Sequence, residues 1–110
     1  MILDFNNIEK KDNPEFKGGR GKMTGAIHSD ENGKIIHGIL PPGSSVGEHT
    51  HDTSSEMIYI ISGNADFFYD GGSESVGAGG CHYCPKGHSH SMINNGSEDL
   101  VFFAVVPEHA

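Results

Sequence analysis

Beyond residue 22 the apolar and β-branched residues fall in short runs, each ended by a turn signal. Residues 23–29 and 34–40 flank the Asp-Glu-Asn-Gly segment at 30–33, whose Asn-Gly pair predicts a hairpin. The Pro-Pro-Gly-Ser-Ser segment at 41–45 breaks the pattern. Residues 56–62, Glu-Met-Ile-Tyr-Ile-Ile-Ser, resume it as a strand with Glu56, Ile58 and Ile60 on one face and Met57, Tyr59 and Ile61 on the other. Residues 65–69 follow across Gly63-Asn64, Gly71-Gly72 turns the chain, and 74–76 make a short return strand. Residues 82–84, 89–93 and 100–106 complete the series, with Asn95-Gly96-Ser97 between the last two. Eight or more short strands at this spacing predict an antiparallel sandwich or barrel. No window holds a 3.6-residue apolar period over three turns, so no helix is expected. In the first 22 residues, Asn13-Pro14 and Gly18-Gly19-Arg20-Gly21 predict a flexible strap across the barrel or an oligomer interface.

Length and composition narrow this picture. A chain of 110 residues is one domain's worth, and it can bury enough surface for a core without disulfide staples. Sixteen glycines dilute the hydrophobic fraction to 35% without removing the strand runs. The net charge of -8 excludes nucleic acid as an expected partner, because phosphate binding needs clustered Lys and Arg. Lys10, Lys11, Lys17, Arg20 and Lys22 lie in the first 22 positions, leaving only Lys34 and Lys86 in an acidic body. A bound divalent cation would offset that charge locally. No apolar run approaches the roughly 18 residues of a membrane span, and the N-terminus lacks the order of a secretory signal, so a cytoplasmic protein is expected. Cys81 and Cys84 would then be reduced. They precede Pro85 on a predicted strand, where positions three apart point to opposite faces, so a structural role is expected for them and not a redox pair.

Candidate chemistry gathers around histidine. His49 and His51 alternate with Thr50, so in extended chain both imidazoles leave one face, as a metal pair would. Glu56 leads an otherwise apolar inward row, where a carboxylate is costly unless a cation offsets it. His90, 34 residues later and beyond the Pro85-Lys86-Gly87 turn, supplies a third imidazole. His88 could share the face of His90 and act as a general base or proton carrier. His82 reads as structural or surface, His28 and His109 carry no pattern, and His37 would face inward if the Ile35, His37, Ile39 row does. Tyr59, Phe67, Phe68, Tyr69, Phe102 and Phe103 read as core and interface packing. Arg20 and Lys22 would meet an anionic substrate if the strap closes over the mouth.

These spacings resemble those of the cupins. Gly43, five residues, His49-x-His51, four residues, Glu56, six residues and Gly63 match the first cupin motif; Gly79, five residues, Pro85-x-Gly87, two residues, His90, three residues and Asn94 match the second. Gly80 departs from the pattern, where many relatives carry Asp. The strap and overall length are also similar to those of one-domain cupins labelled mannose-6-phosphate isomerase-like. The resemblance implies an all-β, antiparallel double-stranded β-helix, or jelly-roll barrel, formed by residues 1–110 as a single domain, with 1–22 a strap or dimer arm. It implies that His49, His51, Glu56 and His90 bind one divalent transition metal ion, Mn, Fe, Zn, Ni or Co. Gly63 and Gly87 would be turn residues and Asn94 a structural position. The family also implies a homodimer and a small polar molecule as partner. The leading expectation is an isomerase or lyase acting on a sugar, hydroxy acid or keto acid chelated to the metal. The alternatives are an Fe(II)-dependent dioxygenase, although thiol dioxygenases tend to lack the motif-one glutamate, and a non-enzymatic metal or small-ligand binder.

Overall fold

A computed structural model describes residues 1–109. Its elements are β1 (Lys11–Pro14), a 3-10 turn (Phe16–Gly18), β2 (Lys22–Asp30), β3 (Gly33–Leu40), β4 (Ser45–Thr50), β5 (Glu56–Ser62), β6 (Asn64–Tyr69), β7 (Gly72–Gly77), β8 (Cys81–Cys84), β9 (Ser89–Ile93) and β10 (Leu100–Pro107). All pairings are antiparallel, in a six-stranded sheet ordered β1-β2-β3-β10-β5-β8 and a four-stranded sheet ordered β4-β9-β6-β7. This is the expected jelly roll, with no α-helix among the described residues, and hence none long and apolar enough to cross a membrane.

Strand alternation places the core between the sheets. Ile58 and Ile60 on β5, Leu100, Phe102 and Ala104 on β10, and Ile36 and Leu40 on β3 face Val46, Ala65, Phe67 and Met92 of the other sheet. The inward row of β3 is therefore Ile36, Gly38 and Leu40, and His37 points outward, contrary to the alternative reading. Gly38 decides the parity: a Cβ there would lie 2.2 Å from Cζ of Phe102, whose ring fills the space.

The hairpin at 30–33 forms, with Asp30 and Gly33 as its closing pair and Oδ1 of Asp30 accepting the Asn32 N–H at 2.8 Å. The next hairpin turns one residue earlier than expected. Asp70 and Gly71, with φ of 50° and 78°, supply the two left-handed residues that a tight turn between twisted strands requires.

The strap is docked, which corrects the expectation of a flexible segment. β1 pairs with β2, and the chain then runs along β4 at backbone contact. A Cβ on Gly47 would meet the carbonyl oxygen of Lys17 at 2.1 Å, and one on Gly19 that of Ser45 at the same distance. Ser45 N–H donates to the Arg20 carbonyl at 2.9 Å, and Arg20 N–H to Oγ of Ser45 at 2.8 Å.

Gly80, the departure from the motif, sits in a well-tied turn. Gly79 N–H donates to the Ile60 carbonyl at 2.9 Å, Ile60 N–H to that of Gly80 and Gly80 N–H to that of Gly77, both at 3.0 Å. Val76 Cγ1 would lie 2.6 Å from any Cβ at position 80, so the missing side chain makes room for Val76. Asn94 is fully buried, donating to the carbonyls of Leu40 and Glu98 at 2.8 Å each and accepting the Gly96 N–H at 2.9 Å, which suits a structural position.

Candidate metal centre

The site begins with an irregularity in β4. Val46 pairs with Met92 and His49 with His90, so two residues, Gly47 and Glu48, oppose the single Ser91 of β9. This bulge lets Val46 and His49, three apart, both face inward, which regular alternation would forbid. It also aims the Gly47 carbonyl at Nδ1 of His49, which donates to it at 2.8 Å. His51 follows just past the strand end, where its N–H donates to the His88 carbonyl at 3.0 Å and its own carbonyl accepts from Gly87 at 2.6 Å. Glu56 opens β5 on the opposite sheet, on the inward row with Ile58 and Ile60 as predicted.

The four expected ligands converge. His49, His51, Glu56 and His90 each offer a donor atom, all within 4.8 Å of one another. Nε2 of His51 lies 3.0 Å from Nε2 of His90 and 3.1 Å from Oε1 of Glu56; Nε2 of His90 lies 2.9 Å from that oxygen and 3.1 Å from Nε2 of His49. The third histidine-to-carboxylate separation, His49 to Glu56, is 3.8 Å. Adjacent ligands on an octahedral ion with bonds of about 2.1 Å are about 3.0 Å apart, against about 3.4 Å on a tetrahedral one. The donor set has the size and chemistry of a divalent metal site and is closer to the octahedral spacing.

Hydrogen bonds behind the imidazoles aim them. Oγ of Ser54 lies 2.8 Å from Nδ1 of His51. Nε2 of His82 lies 3.0 Å from Nδ1 of His90, and Oε1 of Glu74 accepts from Nδ1 of His82 at 3.0 Å. With Gly47 behind His49, every ligand histidine has a partner at Nδ1 and presents Nε2 to the centre. Burial alone would raise the Glu56 carboxyl, but hydrogen bonds from His49, His51 and His90 outweigh it and hold the group well below the usual carboxylate range. Burial, with His90 beside it, lowers His82 below an ordinary histidine, against the pull of Glu74. The buried Cys84 thiol is pushed up to about 11, first by burial and then by the charges of Glu56 and Asp70, which leaves it unreactive. Cys81, on the other face of β8, is exposed, as the strand reading predicted.

The donors line a cavity of about 360 Å³, whose wall is apolar through Met23, Ile36, Val46, Ile58, Met92 and Phe102 and whose remaining lining includes Lys17, Asp30, Lys34, Asp52 and Glu108. The strap does reach this cavity, but with Phe16 and Lys17. Arg20 and Lys22 do not line it, and Lys22 instead pairs with Asp12 at 3.3 Å. His88 also stands outside the lining, with Nδ1 2.8 Å from Asp70 and the ring stacked on Tyr69. Of the aromatic residues, Phe67 and Phe102 are core, Phe102 also borders the cavity, Phe103 packs edge-on against Phe5, and Tyr59 and Phe68 are exposed.

Sequence reasoning read His82 as structural or surface and gave Glu74 no role beyond its strand. His82 pairs opposite Ile58 and Glu74 opposite Phe67, both inward positions, so alternation would have marked them once the strand pairings were known. The bulge at Gly47 gave no sequence signal beyond the glycine itself.

Fold and donor set together define a jelly-roll barrel carrying a three-histidine, one-glutamate group that could hold a metal ion. The cupin domain family model matches residues 36–106, and the chain belongs to that family. An oxalate-binding protein of Thermotoga maritima is 43% identical over 67 residues, 61% of this chain and 55% of that protein, so the match spans little more than half the relative's length. The crystal structure of a predicted oxalate decarboxylase from Thermotoga maritima superposes with a TM-score of 0.91 at 31% identity, covering 98% of this chain and 99% of that one. A sugar phosphate isomerase of the cupin superfamily from Silicibacter pomeroyi shares the fold, with a TM-score of 0.80 at 20% identity over 98% of this chain and 76% of that one.

Proposed function

We propose that this protein holds one divalent metal ion on His49, His51, Glu56 and His90 and uses it to chelate a small dicarboxylate or keto acid, oxalate being the first candidate. The observation that carries the reading is the donor set itself, four ligand atoms near 3 Å spacing at the wall of an open cavity. Four protein donors leave two positions on an octahedral ion, the number that two oxygens of one small acid would fill. When bound, such an ion acts as a Lewis acid that polarises those oxygens.

Charge supports the same assignment. A body of net charge -8 repels a dianion, and among the described residues Lys17 and Lys34 are the only basic side chains besides histidine lining the cavity, so most of the attraction has to come from the cation. The oxalate-binding protein and the predicted oxalate decarboxylase of Thermotoga maritima favour oxalate within this ligand class. The reaction that follows from chelating oxalate is of the lyase type: the dianion loses CO2 by C–C cleavage, and the remaining carbon keeps the electron pair and takes up a proton from solvent to give formate. His88 is assigned no proton transfer, because its ring is engaged with Asp70 away from the cavity; its backbone carbonyl instead holds His51.

Calorimetric titration of oxalate into the manganese-loaded and the metal-free protein tests the proposal. One-to-one binding to the loaded form alone is expected, and formate release reads the lyase step. Equal binding to both forms, or none to the loaded form, would overturn it. The same reading includes a homodimer, formed through the outer face of the six-stranded sheet.

A further inference from the structure

The two sheets of the barrel part between β7 and β8, each an outermost strand. Across this opening runs a line of three side chains from three strands: Glu74 on β7, His82 on β8 and His90 on β9. His82 is fully buried, stacked on Phe67 at 3.9 Å between ring centroids, with the ring of His90 at 5.2 Å and nearly parallel. Glu74 is 48% exposed.

With a metal ion on Nε2 of His90, each hydrogen bond in this line has one permitted direction; without the ion, Oε1 of Glu56, 2.9 Å from that nitrogen, calls for a proton there. A carboxylate accepts only, so the 3.0 Å contact between Glu74 and His82 puts the proton on Nδ1 of His82. Neutral His82 then presents a bare Nε2, which can only accept, so the second 3.0 Å contact puts the proton of His90 on its Nδ1. His90 is left with Nε2 as its lone-pair nitrogen, and that atom sits among Glu56, His49 and His51.

We infer that Glu74 and His82 are positioning residues that lock His90 in its Nδ1–H form and aim its Nε2 lone pair at the metal. The inference rests on the metal reading of the site. His49 and His51 receive the equivalent support from the Gly47 carbonyl and the Ser54 hydroxyl, both within three residues in the chain. His90 alone takes its support from another strand, and through it from a carboxylate in contact with solvent. That carboxylate strengthens His90 as a donor by drawing on the proton of His82, which in turn draws on that of His90.

Two substitutions and two readouts test this. His82→Phe keeps a planar ring against Phe67 and removes both hydrogen bonds; Glu74→Gln changes a half-exposed residue and leaves a weaker acceptor. Zinc affinity, measured by competition with a chromophoric chelator, should fall by about 10- to 100-fold in His82→Phe and by less in Glu74→Gln. Long-range 1H–15N NMR of the zinc-loaded protein at pH 8 should show the proton of His82 on Nδ1 and its Nε2 bare in wild type, with the Nδ1–H signal of His90 shifted in His82→Phe. Wild-type zinc affinity in both variants, or an Nε2-protonated His82 in the zinc-loaded wild type, would overturn the inference. A wild-type chain that takes up no zinc would overturn the metal reading instead, and the tautomer of His82 in the metal-free protein would still decide whether Glu74 orients its ring.

Discussion

Glu56 shows how one residue carries opposing forces. Burial disfavours its charge and three imidazoles favour it, and the imidazoles win. A carboxyl held below its ordinary value of 4.5 contributes stability that is full above that value and is lost as pH falls through the depressed one. In the metal-free protein, Glu56→Gln should therefore cost stability at pH 5, and the gap to wild type should narrow as pH falls well below 4.5. Thermal unfolding of both proteins across that range checks it; a gap independent of pH would show that Glu56 carries no net charge interaction. The four ligands were legible in the sequence because alternation and fixed spacing report on single residues. His82, Glu74 and the orientation of His37 were not, since each depends on which strand lies opposite, and that is a long-range fact.

At the scale of elements, turn chemistry and β-branched runs placed eight of the ten strands or their main parts, because those signals act within a few residues. β1 was lost inside a segment read as a strap. Asn13 and Pro14 resemble loop residues, and nothing local reveals that β2 lies beside them. β4 was seen only at its histidines, because its bulge is set by the strap pressing on Gly47. The six-stranded sheet leaves an outer face with Tyr59 at 47%, Ile61 at 45% and Tyr83 at 55% exposure, on neighbouring strands of one side. Exposed apolar surface of this kind is stabilised by a second copy. Sedimentation at micromolar concentration should show a dimer, and the double variant Ile61→Glu with Tyr83→Glu a monomer. A monomeric wild type would contradict the proposed dimer.

On the scale of the whole molecule, the centre joins parts that the chain keeps separate. His49 and His90 belong to the four-stranded sheet, Glu56 to the six-stranded one, and His51 to the loop between them. That loop is fastened by the end of the chain: Ser55 N–H donates to the Pro107 carbonyl at 3.2 Å, His109 N–H to that of Thr53 at 2.7 Å, and Thr53 to the Glu108 carboxylate. An ion bound here ties both sheets and adds to the stability of the folded state by about 2.7 kcal/mol when present at a hundred times its dissociation constant. The most direct measurement is elemental analysis of the chain after saturation with a divalent metal and removal of the excess, wild type beside the double variant His51→Ala with His90→Ala. The account predicts one ion per wild-type chain and none in the variant. A wild type that retains no ion, or a variant that keeps it, would contradict the assignment of His49, His51, Glu56 and His90 as the metal centre.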